Sequence, residues 1–191
     1  MFLERGDLSD IDLLALAQHF GSPTRLLDWT TNPLVALYFA TFSGLQIDET
    51  VDGIVYIFKT RNSDFIREGY ELHAKDDRGS FFPAKLFQDA KVRFIFPKFI
   101  DQRIINQKGL FSVQDDPTST FVANCDKERI SCLLVPRTVK VTLARYLYGL
   151  GITHDFIMPG LAGFSATLSY RYHYNVGVQS KHLEVGDREE D

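Results

Sequence analysis

"QHFGSPTRLLDWTTNPLVALYFAT", residues 18–41, places His19, Arg25, Asp28 and the single tryptophan, Trp29, ahead of an almost wholly apolar run. Pro23 biases its neighbour away from helical geometry and the next helix cap lies close by, so residues 25–29 read as a short extended piece. Thr31 or Asn32 caps a helix that carries Pro33 in its first turn, where a missing N–H costs nothing. Leu34, Val35, Leu37, Tyr38, Phe39 and Phe42 leave this helix hardly any polar face, which predicts burial on most sides. Gln18, His19, Thr24, Arg25, Asp28 and Thr30 therefore lie between two buried elements. Polar groups in such a place pair or face a cleft, because an unpaired buried one costs about 1–3 kcal/mol.

Working outward, Ser9 or Asp10 caps a helix over residues 10–19, which stops at Gly21 and Ser22-Pro23. Downstream, the near-continuous apolar run at 53–59 reads as a strand in the interior of a sheet. Residues 61–74 suit a helix and 75–80, "KDDRGS", an exposed loop. A strand at 92–96 ends at Pro97, a helix at 99–107 stops at Gly109, and another strand covers 110–113. A strand at 130–135 is closed by Pro136, a helix at 137–148 by Gly149 and Gly151, and a last helix at 154–170 is interrupted by Pro159 and Gly160. "YRYHYN", 170–175, could offer single-stranded RNA a stacking face, but an alternating strand with one exposed face is the simpler reading. The sum is one α+β domain over residues 8–176, a mixed central sheet flanked by helices, with an acidic, frayed tail at 177–191.

Composition narrows the function classes. Of 191 residues, 45% are hydrophobic and 24% charged, which excludes wholesale disorder. A net charge of -4 without a basic patch disfavours nucleic acid as a partner. Cys125 and Cys132 are too few for a disulfide framework, and the five histidines share no metal-ligand spacing, so no metal site is expected. With no leader pattern and no run of about 18 apolar residues, a cytoplasmic protein that does not enter membranes is the expectation.

The stretch Gln18-His-Phe-Gly-Ser-Pro-Thr-Arg-Leu-Leu-Asp-Trp-Thr-Thr-Asn-Pro-Leu-Val-Ala-Leu-Tyr-Phe-Ala40 resembles the signature of FRG domains, named for a Phe-Arg-Gly motif. Arg103-Ile-Ile-Asn-Gln-Lys-Gly-Leu-Phe111 and Pro159-Gly-Leu-Ala-Gly163 are similar to later elements of the same family. The naming motif belongs some tens of residues ahead of Gln18, whereas here Glu4-Arg5-Gly6 keeps only its Arg-Gly. The expectation is thus an N-terminally incomplete domain whose first strand is missing, leaving an open sheet edge that a homodimer or another partner covers.

The FRG pattern is in turn similar to the ADP-ribosyltransferase fold, which implies an enzyme moving ADP-ribose from NAD to a macromolecule, as a toxin or defence effector would. On that resemblance Asp28, Thr30 and Gln107 are the catalytic candidates. His19, Thr24, Arg25, Trp29 and Tyr38 are the candidates for holding NAD, which serves as substrate. The chemistry suits such groups: departure of nicotinamide leaves an oxocarbenium-like centre, stabilised by a carboxylate or amide on the ribose hydroxyl and by fixed dipoles. Two other readings stay open, a non-catalytic nucleotide- or peptide-binding module, and an interaction domain in which Arg25 and Asp28 pair to hold helices together.

Overall fold

The computed structural model describes residues 10–66, 84–88, 90–97 and 102–176. In chain order these build α1 (Asp10–His19), β1 (Leu27–Thr30), α2 (Pro33–Thr41), the hairpin β2 (Phe42–Ser43) and β3 (Gln46–Ile47), and β4 (Gly53–Phe58). They continue with β5 (Val92–Ile95), α3 (Gln102–Gln107), β6 (Gly109–Gln114), α4 (Phe121–Asn124) and β7 (Ile130–Val135). Three helices close the described chain, α5 (Lys140–Gly149), α6 (His154–Ile157) and α7 (Leu161–Tyr174).

The fold is mixed helix and sheet, as composition and periodicity suggest, but its strands form small open sheets rather than one mixed central sheet. β6 lies between β1 and β5, antiparallel to both, with Asp28 opposite Phe111 and Phe94 opposite Ser112. β4 pairs antiparallel with β7, Val55 facing Leu133. Parallel pairing among the described residues is confined to the bridge between Phe65 and Phe94. Among the described residues β4 therefore has a neighbour on one side only, where an interior strand has two, and Ile54, Tyr56 and Ile57 are each about half exposed. An apolar run shows that neither strand face prefers water, but not that both edges are paired.

Alternation along the strands divides the packing. On one face of the β1–β6–β5 sheet, Leu26, Ile95, Phe111 and Val113 bury Ala15 of α1 and the Leu86-Phe87 turn. On the other, Phe94 and Leu110 meet Phe121, with Trp29 and Phe58 packed against them. The Trp29 ring lies 4.8 Å from Phe121 and 5.7 Å from Phe94, and its indole N–H donates to Ser112 Oγ at 2.8 Å. The β4–β7 pair is tied down at one end by the buried Asp64 carboxylate, which accepts from the Arg61 N–H and the Arg129 guanidinium. That guanidinium also donates to the Lys59 carbonyl and stacks over Phe58.

A separate core joins α2 to the C-terminal helices. Val35 and Tyr38 are fully buried against Ala144 and Leu147 of α5, Ile157 of α6 and Tyr170 of α7. α7 seats on α6 at Gly163, where an added Cβ would fall 1.9 Å from the Met158 carbonyl oxygen. "YRYHYN" is the end of α7, not a strand: Tyr170 is buried while Tyr172, two residues on, is 85% exposed. Helical geometry turns alternate residues by about 200°, so a period-two pattern over so short a run fits either element. Of the helix expected at 61–74, the described part is a single turn of 3₁₀ helix, Asn62–Asp64. The rest of it, the 75–80 loop and the 177–191 tail lie outside the described residues.

Two outcomes follow from this core. Gly163→Ala forces α7 off α6 and should lower thermal stability by about 1–3 kcal/mol, measured by calorimetric unfolding beside Ser165→Ala, at an exposed position of the same helix, as a control. His154 is fully buried, with Nδ1 on the Tyr38 hydroxyl, and desolvation pulls its pKa down to about 4 against the opposing pull of the Asp155 charge. Between pH 6.5 and 4 the unfolded chain binds a proton that the folded chain refuses, so stability falls as pH drops through that window, by about 3 kcal/mol in all. Unfolding curves across this range should lose most of that slope in His154→Gln.

Candidate functional site

The handover from β1 to α2 is built by short polar contacts. Asn32 caps α2, its side chain accepting from the Leu34 N–H at 3.0 Å. The Thr30 hydroxyl accepts from the Asn32 N–H at 3.0 Å and donates to the Gln107 carbonyl at 2.5 Å, tying the end of β1 to the end of α3. The Gln107 carboxamide donates to the Ile157 carbonyl at 2.9 Å, and its neighbour Asn106 to that of Phe156 at 2.7 Å, so α3 is fastened to α6 as well.

These elements surround a hollow of about 870 Å³, within the range of small-molecule sites. Asp28, Thr30 and Gln107 all line it, as do His19, Thr24, Arg25 and Trp29. Tyr38, expected to contact NAD, does not: it is fully buried on the far side of α2, with its hydroxyl on His154 Nδ1. In a helix apolar all round, sequence does not say which aromatic faces the cleft. Phe39, 46% exposed, is the one that does.

Arg25 reaches across to the end of β6, donating to the Gln114 carbonyl and, at 3.3 Å, to that of Asp115. Burial pushes its pKa down, partly offset by the Asp115 charge. The expected Arg25–Asp28 pair is thus replaced by two other arrangements. Asp28 accepts from the Gln18 side chain, whose Oε1 in turn accepts from the Thr24 hydroxyl, while the cation acting on Asp28 is Arg103 of α3. The cleft walls desolvate the Asp28 carboxyl and hold its pKa above the usual carboxylate value, against the pull of Gln18 and Arg103. Solvent still reaches it, since Asp28 is exposed along the strand.

Arg103 and Gln18 are the cleft groups missing from the catalytic and NAD-binding candidates. The signal for Arg103 is its spacing: it precedes Gln107 by four residues, and helical neighbours at that interval share a face. Chemically, the polar end of the hollow offers one carboxylate with a raised pKa, an amide hydrogen-bonded to it and a guanidinium close by, above a wall of apolar α2 side chains. Among the described residues no group of three or more His, Cys, Asp or Glu could hold a metal ion, and no helix is long and apolar enough to cross a membrane.

No curated protein and no solved structure matches the chain significantly. The family model described as the FRG domain matches residues 3–49, which take in α1, β1 and α2 and with them Gln18, Asp28 and Thr30. Over this segment, the cradle of the cleft, the chain is similar to the FRG domain family.

Proposed function

We propose that the cleft binds NAD and that the chain transfers ADP-ribose to a macromolecule, with Asp28 as the carboxylate that serves the ribose. The observation that carries this reading is that Asp28 is the one carboxylate on the cleft wall among the described residues, set beside Gln18 and within the field of Arg103. An anionic oxygen on a ribose hydroxyl favours the positive charge that develops at the anomeric carbon as the bond to nicotinamide breaks. The bonding electrons leave with nicotinamide, a nucleophile of the target closes on the same carbon, and its proton passes to Asp28 or water. Arg103 suits the pyrophosphate, since a guanidinium donates to two phosphate oxygens at once.

A second reading is favoured by a specific observation. Thr30 and Gln107, the other catalytic candidates, spend their side-chain hydrogen bonds on the Gln107 and Ile157 carbonyls. A cleft whose polar groups brace the fold in this way also fits a module that binds a nucleotide without consuming it. Turnover separates the two.

Incubation of the chain with NAD labelled in the nicotinamide ring and, separately, in the adenine, together with cell lysate, should release free nicotinamide and label macromolecules. Asp28→Asn should slow release about 100-fold or more with little change in melting temperature. The acid limb of the rate profile should lie above the ordinary carboxylate range, because Asp28 acts only when ionised. Thr30→Ala should instead lower stability by about 1–3 kcal/mol, as it strips the Gln107 carbonyl and the Asn32 N–H of their partner. NAD binding in calorimetry with no nicotinamide released would establish the non-catalytic module; no binding would end both readings.

A further inference from the structure

Gln18 stands in the last turn of α1, Thr24 in the connection that follows and Asp28 in β1, and a line of hydrogen bonds joins them. The Thr24 hydroxyl oxygen accepts from the Leu26 N–H at 3.2 Å, and its own proton goes to Gln18 Oε1. The Asp28 carboxyl accepts from the amino end of the same carboxamide. All three side chains line the hollow, the groove between β1, α2 and β4.

Each contact fixes the polarity of the next. A carboxamide carries an acceptor at one end and two donors at the other, and a half-turn about its last bond exchanges them with little change of shape. Its network of partners therefore decides which end points where. A backbone N–H can only donate, so Leu26 takes a lone pair of the Thr24 hydroxyl and leaves that O–H free to donate elsewhere. A hydroxyl that donates to Gln18 selects the oxygen for its own side, which turns the amino group to Asp28. The reversed amide would set its oxygen against the carboxylate, lone pair against lone pair, and favour the protonated acid.

We propose that Gln18 is a positioning residue for Asp28 and that Thr24 acts through it, the hydroxyl locking the carboxamide with its donors toward the carboxylate so that Asp28 stays an acceptor on the wall of the hollow. The inference rests on the reading of Asp28 as the carboxylate that serves a ribose, and it gives Thr24 a part in that reading without contact to NAD. Burial by the cleft walls favours the neutral acid, and the Gln18 donor opposes it. Arg103, the cation that also acts on Asp28, belongs to α3 and lies outside this line of bonds.

The test is NMR titration of the side-chain carboxyls of the full chain, isotope-labelled in aspartate and free of NAD, with the Asp28 signal assigned by its loss in Asp28→Asn. Thr24→Val removes the hydroxyl at nearly constant shape, and Gln18→Met removes the amide without touching the turn at Thr24. Each should raise the proton affinity of the Asp28 carboxyl about tenfold, the worth of a hydrogen bond to a charged group. Thr24→Ser, which keeps the hydroxyl, should titrate like the unaltered chain. His19, Arg25 and Arg103, the other charged groups on the wall of the hollow, are the same in all three variants. A purely structural role for Thr24 would lower the melting temperature of Thr24→Val and leave the Asp28 titration where it was. Unchanged titration in Thr24→Val or in Gln18→Met, or a Thr24→Ser chain that titrates like Thr24→Val, overturns the proposal. Nicotinamide release gives a second readout: its acid limb should move to higher pH in Thr24→Val and return in Thr24→Ser. A chain that releases no nicotinamide defeats the NAD reading, while the titration, read without NAD, still decides the part of Thr24 and Gln18, so the two failures are distinct.

Discussion

One hydroxyl group, that of Thr30, fixes the relation between three elements that share no sequence neighbourhood. It takes the Asn32 N–H at the mouth of α2 and gives its proton to the Gln107 carbonyl at the end of α3. Strand, following helix and remote helix therefore meet at one oxygen, and the Gln107 side chain extends the tie to α6. A residue at this point must be small enough for a strand end, able to donate and accept at once, and stiff at χ1, which threonine satisfies. With the Thr31 N–H on the Lys108 carbonyl just beyond it, that junction holds the end of β1 against the end of α3 at the foot of the cleft.

The cleft arises because the molecule has two packing systems that meet along α2. The sheet and its aromatic cluster around Trp29 form one, and the Tyr38–Tyr170 helical core forms the other. α2 gives Val35 and Tyr38 to the helical core and Ala36, Phe39 and Ala40 to the groove. Its lack of a polar face is thus a requirement of standing between two apolar environments, not of complete burial. The close approach at Gly53, where an added Cβ would lie 2.1 Å from the Ala40 carbonyl oxygen, sets how near β4 comes to the end of this helix.

Local rules were legible wherever a residue acts on its own backbone. Asn32 and Pro33 mark the start of α2, Pro97 and Pro136 follow the ends of β5 and β7, and Gly149 with Gly151 closes α5, all visible without tertiary information. The hollow itself was also legible, through the density of polar side chains between two apolar helices. What escaped depends on partners remote in sequence. Arg25 binds carbonyls about ninety positions away, and the charge beside Asp28 comes from α3. Tyr38 and Phe39 are adjacent and both aromatic, yet helical rotation sends one to His154 and the other to the groove. β4 was misplaced for a related reason: hydrophobicity reports which faces avoid water, while edge pairing is a property of the backbone that side chains do not encode.

The distribution of aromatic chromophores makes the two packing systems separately visible. The single indole belongs to the Phe58–Phe94–Phe121 cluster, whereas Tyr38, Tyr148, Tyr170 and Tyr174 gather around α2, α5 and α7. Tryptophan emission thus follows the sheet side, and tyrosine bands in near-ultraviolet dichroism follow the helical side. Coincidence of the two signals during denaturation measures how firmly α2 transmits cooperativity from one half to the other.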